Sequence, residues 1–187
     1  IDRWCYSTSK AVGEHFCFAY ARIGLKVVIV RFFNAYGPRL DKIDVGRVMT
    51  IFLGQLLRNK DVTVIGDGLQ TRAFTYISDC VRALQAAGMK DEAVGGIFNI
   101  GTDRETTMLE LAETMIKLFP ENSSKIQFVE QQTIYGESYE DIPRRVPDIT
   151  RMRTILGVEP TVSLEHGLRE TVKWFREDTD LASLLGG

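Results

Sequence analysis

Lys26 to Phe33 reads Lys-Val-Val-Ile-Val-Arg-Phe-Phe, a nearly continuous apolar run rich in β-branched residues. A strand with one wet face alternates apolar and polar residues. A run without alternation fits a strand covered on both faces of a parallel sheet. This stretch therefore commits the chain to an α/β fold. Asn34-Ala35-Tyr36-Gly37-Pro38-Arg39 leaves the strand as a turn. In open α/β sheets ligands sit beyond the carboxyl ends of strands, which places Asn34 and Arg39 where a ligand can lie.

The flanking patterns agree with such a fold. Ala11, Val12, His15, Phe16, Phe18 and Ala19 give an apolar stripe at helical spacing before the strand. Met49 to Leu57 reads as a helix, Asp61 to Ile65 as a short strand, and Gln70 to Tyr76 as an extended piece after the turn Gly66-Asp67-Gly68. Ser78 or Asp79 is placed to cap a helix to about Ala87. Gly96 to Gly101 is a further strand, and Thr107-Met108-Leu109-Glu110 has capping-box spacing for a helix to about Phe119. Lys125 to Val129 alternates as a strand. Gln131 to Pro147 reads as a long polar loop, of a length that is often functional. Ile149 to Leu156 is expected as a short helix closed by Gly157. Ser163 is expected to cap a last helix to about Arg176, with a frayed tail to Gly187.

Tyr6 and Lys10 lie four apart on the opening helix, hence on one face and one turn apart. A free phenol titrates near pH ~10 and is a poor base at neutrality. A neighbouring ammonium favours the phenolate. Such a pair can take a proton from an alcohol while a cofactor takes the hydride. The spacing also arises by chance, and an amphipathic helix with a solvated lysine accounts for it equally.

With 187 residues the chain can form one domain with a sizeable core. A net charge of −2 points to neither nucleic acid nor an anionic membrane, and no apolar run is long enough to span a bilayer. Cys5, Cys17 and Cys80 lack C-x-x-C spacing and fit a reducing cytosol, with Cys5 read as a packing residue. His15, His166, Asp41, Asp44, Asp67 and Asp79 form no ligand cluster, so no metal site is expected. The chain opens Ile1-Asp2-Arg3, without an initiator methionine or a basic and apolar lead, and is expected to begin inside a longer protein.

Five stretches occur together in order: Tyr6-x-x-x-Lys10, Arg31 to Arg39, Gly66-Asp67-Gly68-x-Gln70-x-Arg72-x-Phe74-x-Tyr76, Phe98-Asn99-Ile100-Gly101 and Arg145-Val146-Pro147-Asp148. In this order the chain, from Arg3 to about Arg176, resembles the extended short-chain dehydrogenase/reductases, the NAD-dependent sugar-nucleotide epimerases, dehydratases and decarboxylases. Asp44-Val45-Gly46-Arg47-Val48 and the Tyr135 to Pro147 stretch resemble UDP-glucuronate decarboxylases in particular. The glycine-rich strand-turn-helix that seats the cofactor pyrophosphate in that family is missing, as is the catalytic Ser or Thr before the tyrosine. The resemblance implies the C-terminal part of a Rossmann-type parallel sheet plus a smaller mixed α/β substrate-binding lobe, with the N-terminal nucleotide-binding half absent. It implies a cofactor-side part at about 1–40 and 77–101, interleaved with a sugar-nucleotide lobe at about 41–76 and 102–187.

The resemblance also implies roles. Tyr6 is the base at the sugar 4-hydroxyl, and Lys10 favours its phenolate and holds the nicotinamide ribose of NAD. Phe33 supplies backbone contacts near the nicotinamide, and Arg47 touches cofactor or substrate. Asn34, Arg72, Tyr139 and Arg145 bind the phosphates or sugar of a UDP-sugar, while Thr63 to Gln70 line the uridine site, largely through backbone groups. Arg145 further assists protonation in a decarboxylase, whereas Arg144 is expected in solvent. The implied activity is C4 oxidation of a UDP-sugar, leading to decarboxylation or to 4-epimerisation, in a cytoplasmic homodimer. The alternative is a non-catalytic sugar-nucleotide-binding or dimerisation module without its cofactor half. A fragment of this kind is expected to be inactive alone.

Overall fold

The computed structural model describes residues 2–40, 43, 46–135 and 142–177. Helix α1 (Asp2–Arg22) leads into β1 (Ile29–Phe32), which pairs in parallel with β6 (Ile97–Ile100), Ile29 opposite Ile97 and Phe32 opposite Ile100. Parallel pairs also join β2 (Ala35–Tyr36) to β5 (Thr75–Tyr76) and β3 (Val62–Ile65) to β8 (Ile126–Val129). In a third arrangement β4 (Thr71–Ala73) lies between antiparallel β7 (Glu105–Thr107) and parallel β9 (Arg144–Arg145). The other helices are α2 (Val48–Leu57), α3 (Ile77–Met89), α4 (Met108–Ile116), α5 (Gln131–Tyr135) and α6 (Leu164–Glu177). The chain is thus mixed α/β with mostly parallel pairing, as its apolar run predicts.

Local chemistry explains the elements. On β3 the buried Val62 and Val64 alternate with half-buried Thr63 and Ile65, so one edge of the strand's pattern faces the core and the other does not. The capping box at α4 is complete: Thr107 Oγ1 accepts from Glu110 N at 3.0 Å, and Thr107 N donates to Glu110 Oε2 at 2.8 Å. Such caps stabilise a helix by about 1 kcal/mol. The expected cap of α6 is present, with His166 N donating to Ser163 Oγ at 3.3 Å. Gly167 on α6 meets Tyr36 so closely that a Cβ there would lie 2.2 Å from the phenol oxygen. Only a glycine lets α6 seal the core over β2.

Buried side chains form two clusters. One gathers Phe52, Leu56, Val64, Leu111, Met115 and Phe175 between α2, β3, α4 and α6. The other gathers Cys80, Ala83, Phe98, Ile100, Met152 and Leu156 around α3 and β6.

Several expectations are corrected. The strand in the apolar run is shorter than the run, and Arg31 and Phe32 at its end are exposed. The run anticipates cover on both faces, whereas within β1 only Ile29 is buried and Val30 half-buried. The stripe on α1 is likewise uncovered, with Phe16 61% and Phe18 41% exposed. A bidentate ion pair ties this helix to β1, both Glu14 oxygens lying 2.6 Å from Arg31 nitrogens and holding the Glu14 carboxyl below its usual range. Cys5 is exposed rather than packed, and Cys80 is the buried thiol. Neither Ser78 nor Asp79 caps α3, whose N-cap is Tyr76 without a side-chain bond. Asp79 is buried instead and accepts from Thr161 N and Val162 N, both at 3.1 Å, and from the Arg82 guanidinium. It fastens the segment before α6 onto α3. The polar stretch from Gln131 is not one loop, since α5 and β9 interrupt it. The helix expected after Ile149 is mainly a π-helical turn over Met152–Leu156, closed by Gly157 at φ 67°. The tail, Asp41 and Asp44 lie outside the described residues.

Candidate functional site

A cavity of about 490 Å³ opens between α2, β3, β4 and β9. Helix α2 forms one wall, with Arg47, Ile51 and Gln55 at four-residue spacing along it. At 1.5 Å rise per residue, the eight residues from Arg47 to Gln55 set these two polar groups about 12 Å apart along the helix. The cavity therefore has two different ends.

One end is cationic. Arg72 on β4 is 7% exposed, and its Nη1 donates to the Thr71 and Ile142 carbonyls, both at 2.7 Å. Arg145 on β9 stands opposite Arg72 in the β4–β9 register. Its Nη2 donates to Asn34 Oδ1 at 3.2 Å, while Asn34 Nδ2 donates to the Ala73 carbonyl at 2.8 Å. Asn34 has φ 39°, the left-handed region that asparagine tolerates better than most residues, and so turns its amide back over β4. Arg47, Arg72 and Arg145 line the cavity, and no Asp or Glu does among the described residues. Guanidinium forks match phosphate and carboxylate oxygens in geometry as well as charge.

The other end is neutral. Gln55 Nε2 lies 2.9 Å from Thr63 Oγ1, and Gln55 Oε1 accepts from Thr63 N at 3.1 Å. Gln70 Nε2 donates to the Ile65 carbonyl at 3.1 Å. Phe52, Phe74 and Met108 supply apolar surface.

The strand that carries Arg145 is held from outside. Arg144 is exposed but not solvated alone as expected: Glu105 takes its Nε at 2.8 Å and Nη2 at 3.0 Å. Glu105 also accepts from Thr71 Oγ1 at 2.6 Å. These bonds hold the Glu105 carboxyl below its usual range. Beyond Arg145, Pro147 is buried against Gly101, where a Cβ would meet Pro147 Cγ at 2.8 Å and Phe33 Cβ at 3.2 Å.

The structure thus brings Asn34, Arg47, Thr63, Gln70, Arg72 and Arg145 to one cavity. Tyr6 and Lys10 do not line it. Tyr6 is 70% exposed on α1, with the Lys10 ammonium 5.2 Å from its ring centroid. Phe33 N donates to the Ile100 carbonyl at 2.9 Å and Phe33 O accepts from Thr75 Oγ1 at 3.2 Å, so both backbone groups already have partners. Tyr139 lies outside the described residues.

Residues 2–101 match the model of the NAD dependent epimerase/dehydratase family. The chain belongs to that family. Within it, the chain is 43% identical over 175 residues to a UDP-N-acetyl-alpha-D-glucosaminuronate decarboxylase of Bacillus cytotoxicus, covering 94% of this chain and 54% of the relative. It is 37% identical over 179 residues to UDP-glucuronic acid decarboxylase 1 of Xenopus tropicalis, covering 95% and 40%. The UDP-glucuronic acid 4-epimerase of Bacillus cereus, solved with UDP-glucuronic acid and NAD, superposes with a TM-score of 0.79 at 32% identity, covering 92% of this chain and 52% of that one. The chain therefore spans about half or less of the length of the relatives it matches.

Against this family background, sequence reasoning missed Gln55, Gln131 and Glu105. Gln55 carried a signal, being an amide in an otherwise apolar helix, two turns from Arg47 on the same side. Gln131 and Glu105 carried none, because their placement depends on α5 and on the pairing of β7 with β4.

Proposed function

We propose that the chain is the substrate-side part of an NAD-dependent enzyme that oxidises a UDP-sugar at C4, as a decarboxylase or a 4-epimerase. The observation that carries this reading is the cavity lined by three arginines and no carboxylate among the described residues. A nucleoside diphosphate sugar presents two phosphate charges, and a uronate adds a third. Arg72 and Arg145 bind the diphosphate, Asn34 orients Arg145 and the sugar, and Thr63 and Gln70 flank the uridine. Arg47 serves the sugar or the cofactor, and Tyr139 adds a hydrogen bond to phosphate or ribose.

NAD, when bound, accepts the C4 hydride and can return it. Of the residues that would hold it, Tyr6 and Lys10 fit, being one turn apart with the ammonium over the ring, and Phe33 retains one carbonyl lone pair for it. The pyrophosphate-binding turn is not among the residues of this chain. Tyr6 removes the O4 proton, and Lys10, one turn away on α1, would hold the nicotinamide ribose. If C6 is a carboxylate, the 4-ketone is a β-keto acid and loses carbon dioxide, with Arg145 assisting the protonation that follows. If C6 is a hydroxymethyl group, the 4-ketone has no carboxylate to lose, and its reduction on the other face would invert C4. In this reading residues of about 1–40 and 77–101 belong to the cofactor side, and about 41–76 and 102–187 to the sugar-nucleotide side. The exposed Phe16, Phe18 and Tyr20 on α1 support a homodimer joined through that helix. A monomer by light scattering at high micromolar concentration contradicts the dimer.

One observation favours a second reading, a binding module inactive by itself: Tyr6 and Lys10 stand on an exposed helix away from the cavity. Incubating the whole protein with NAD and either UDP-glucuronate or UDP-glucose, with products followed by NMR, separates the readings. A UDP-pentose marks a decarboxylase and an inverted C4 an epimerase. Binding without turnover leaves the module.

A further inference from the structure

Tyr6, Lys10 and Glu14 follow one another at four-residue steps on α1. With about 3.6 residues per turn they fall within about 80° of the helix circumference, and Lys10 stands about 6 Å along the axis from each of the other two. One ammonium on a flexible stem therefore has two neighbours within reach. A lysine and a glutamate four apart on a helix attract each other. The ammonium nevertheless lies 5.2 Å from the Tyr6 ring centroid and has no ion pair among the described residues. The reason is on β1. Arg31 Nε and Nη2 each lie 2.6 Å from a Glu14 oxygen, so one guanidinium occupies both. The Glu14 side chain is 22% exposed. The hydrogen bond from Arg31, then the charges of Arg31 and His15, keep its carboxyl below the usual range, so it is ionised at neutral pH.

We infer that Arg31 is a positioning residue for Lys10: by occupying Glu14 it keeps the ammonium beside Tyr6 instead of one turn further along α1. This rests on the reading of Lys10 as a contact of the nicotinamide ribose and adds to it the group that holds Lys10 ready. An exposed helical pair of this spacing shifts an equilibrium about twofold. A half-buried carboxylate stripped of its arginine draws a cation more strongly than an exposed one does, so twofold is a floor. A guard of this kind differs from a plain clamp between α1 and β1. A clamp acts through both partners, so losing either one loosens the helix. A guard acts only while there is a carboxylate to guard against. Without Glu14, Arg31 has nothing to withhold from Lys10.

The test compares Glu14→Gln, Arg31→Gln and the double variant by two measurements. The first is NMR of the chain with labelled lysine. The Lys10 ε-methylene lies beside an aromatic ring and should resonate upfield of the other lysines. Arg31→Gln should return it to the ordinary position, Glu14→Gln should leave it upfield, and the double variant should bring it back upfield. The second is calorimetric titration of NAD into the whole protein. Affinity should fall about twofold or more in Arg31→Gln and stay near the unaltered value in the other two, with Lys10→Ala marking the loss when the ammonium is removed. A double variant no better than Arg31→Gln in the methylene position overturns the inference and leaves the pair a clamp. So does a Glu14→Gln that moves the resonance equally, or that loses helix by circular dichroism together with Arg31→Gln. Absence of the upfield position in the unaltered chain overturns it as well. If the resonances follow the expected pattern while Lys10→Ala binds NAD normally, Arg31 does position Lys10, and it is the cofactor role of Lys10 that falls.

Discussion

Arg145 reaches across 111 positions of sequence to donate to Asn34 Oδ1 at 3.2 Å. The contact sets the direction of the guanidinium. The next residue back points elsewhere. Arg144 emerges on the other side of β9, as neighbours on a strand do, and meets the Glu105 carboxylate. Arg145→Ala should weaken UDP binding by about 1.5–3 kcal/mol, the range for hydrogen bonds to charged groups. Arg144→Ala should cost much less, because its side chain is exposed and engaged by Glu105 outside the cavity. Calorimetry on the two variants decides; a larger loss for Arg144 means that the wrong arginine has been assigned to the ligand.

Gly101 governs the same arginine from further off. A Cβ at Gly101 would press on Pro147 Cγ at 2.8 Å, two residues beyond Arg145. The Pro147 carbonyl end of the segment is also pinned, since Asn99 Nδ2 donates to the Asp148 carbonyl at 3.0 Å. Gly101→Ala should therefore destabilise the fold by about 1–3 kcal/mol, as overpacking does, and weaken UDP binding as well. Pro147→Ala in the same chain removes the ring and should restore part of both. Thermal melts and UDP titrations of the single and double variants check this, and a double variant worse than Gly101→Ala refutes the packing account.

The thiols should differ sharply in reactivity. Cys80 is 2% exposed, and burial first, then the Asp79 charge, push its thiol up to about 12. Cys5 is exposed on α1. At pH 8 a thiol reagent followed by peptide mass spectrometry should label Cys5 within minutes and leave Cys80 unmodified until the protein is denatured. Prompt labelling of Cys80 in the native protein contradicts the packing of α3 on β6.

Tyr6→Phe in the whole protein removes the ionisable oxygen and keeps the ring. Turnover should fall roughly 10²-fold or more, the scale of losing a general base. Stability should hardly change, because Tyr6 is 70% exposed. Near-normal kcat at neutral pH is the outcome that removes Tyr6 from the chemistry.

Much of this was legible in the sequence because it is local. The capping box at Thr107, the cap at Ser163 and the alternation of β3 depend on residues a few positions apart. The turn after β1 singled out Asn34, which does line the cavity, because the rule about strand ends is topological. What failed was set by partners distant in sequence. Asp79 looked like a cap, yet its carboxylate is claimed by Thr161 and Val162, some eighty residues away. The resemblance, not local chemistry, separates Arg145 from Arg144; the physical reason needs the fold, in which β9 pairs with β4 and Arg144 meets Glu105 while Arg145 meets Asn34. The run around β1 was read as covered on both faces, since a run of apolar residues reports that a face is apolar and not what covers it.

The pair Glu105–Arg144 should make the strand carrying Arg145 sensitive to acid. Glu105 accepts from Arg144 and from Thr71 Oγ1, and its carboxyl lies below the ordinary range through those hydrogen bonds, Arg144 first. A group with a lowered native pKa contributes above its unfolded pKa and stops contributing as pH falls through the native one. The bonds are therefore fully made at neutral pH and are lost in the acid range below about pH 4.5, the ordinary value for a free glutamate. Loss of charge on Glu105 releases Arg144 and weakens the hold on β9, whose position is also reported by the bond from Thr71 N to the Pro143 carbonyl at 2.9 Å. Glu105→Gln imitates the protonated state without changing pH. At pH 7 it should speed amide exchange at Thr71 relative to the unaltered chain, while Leu111, in the middle of α4, exchanges as before. UDP affinity should fall in the same variant, by less than in Arg145→Ala, since the arginine is loosened and not removed. Unchanged exchange at Thr71 would show that β9 holds its place without Glu105, and that Gly101 and Pro147 alone set the reach of Arg145.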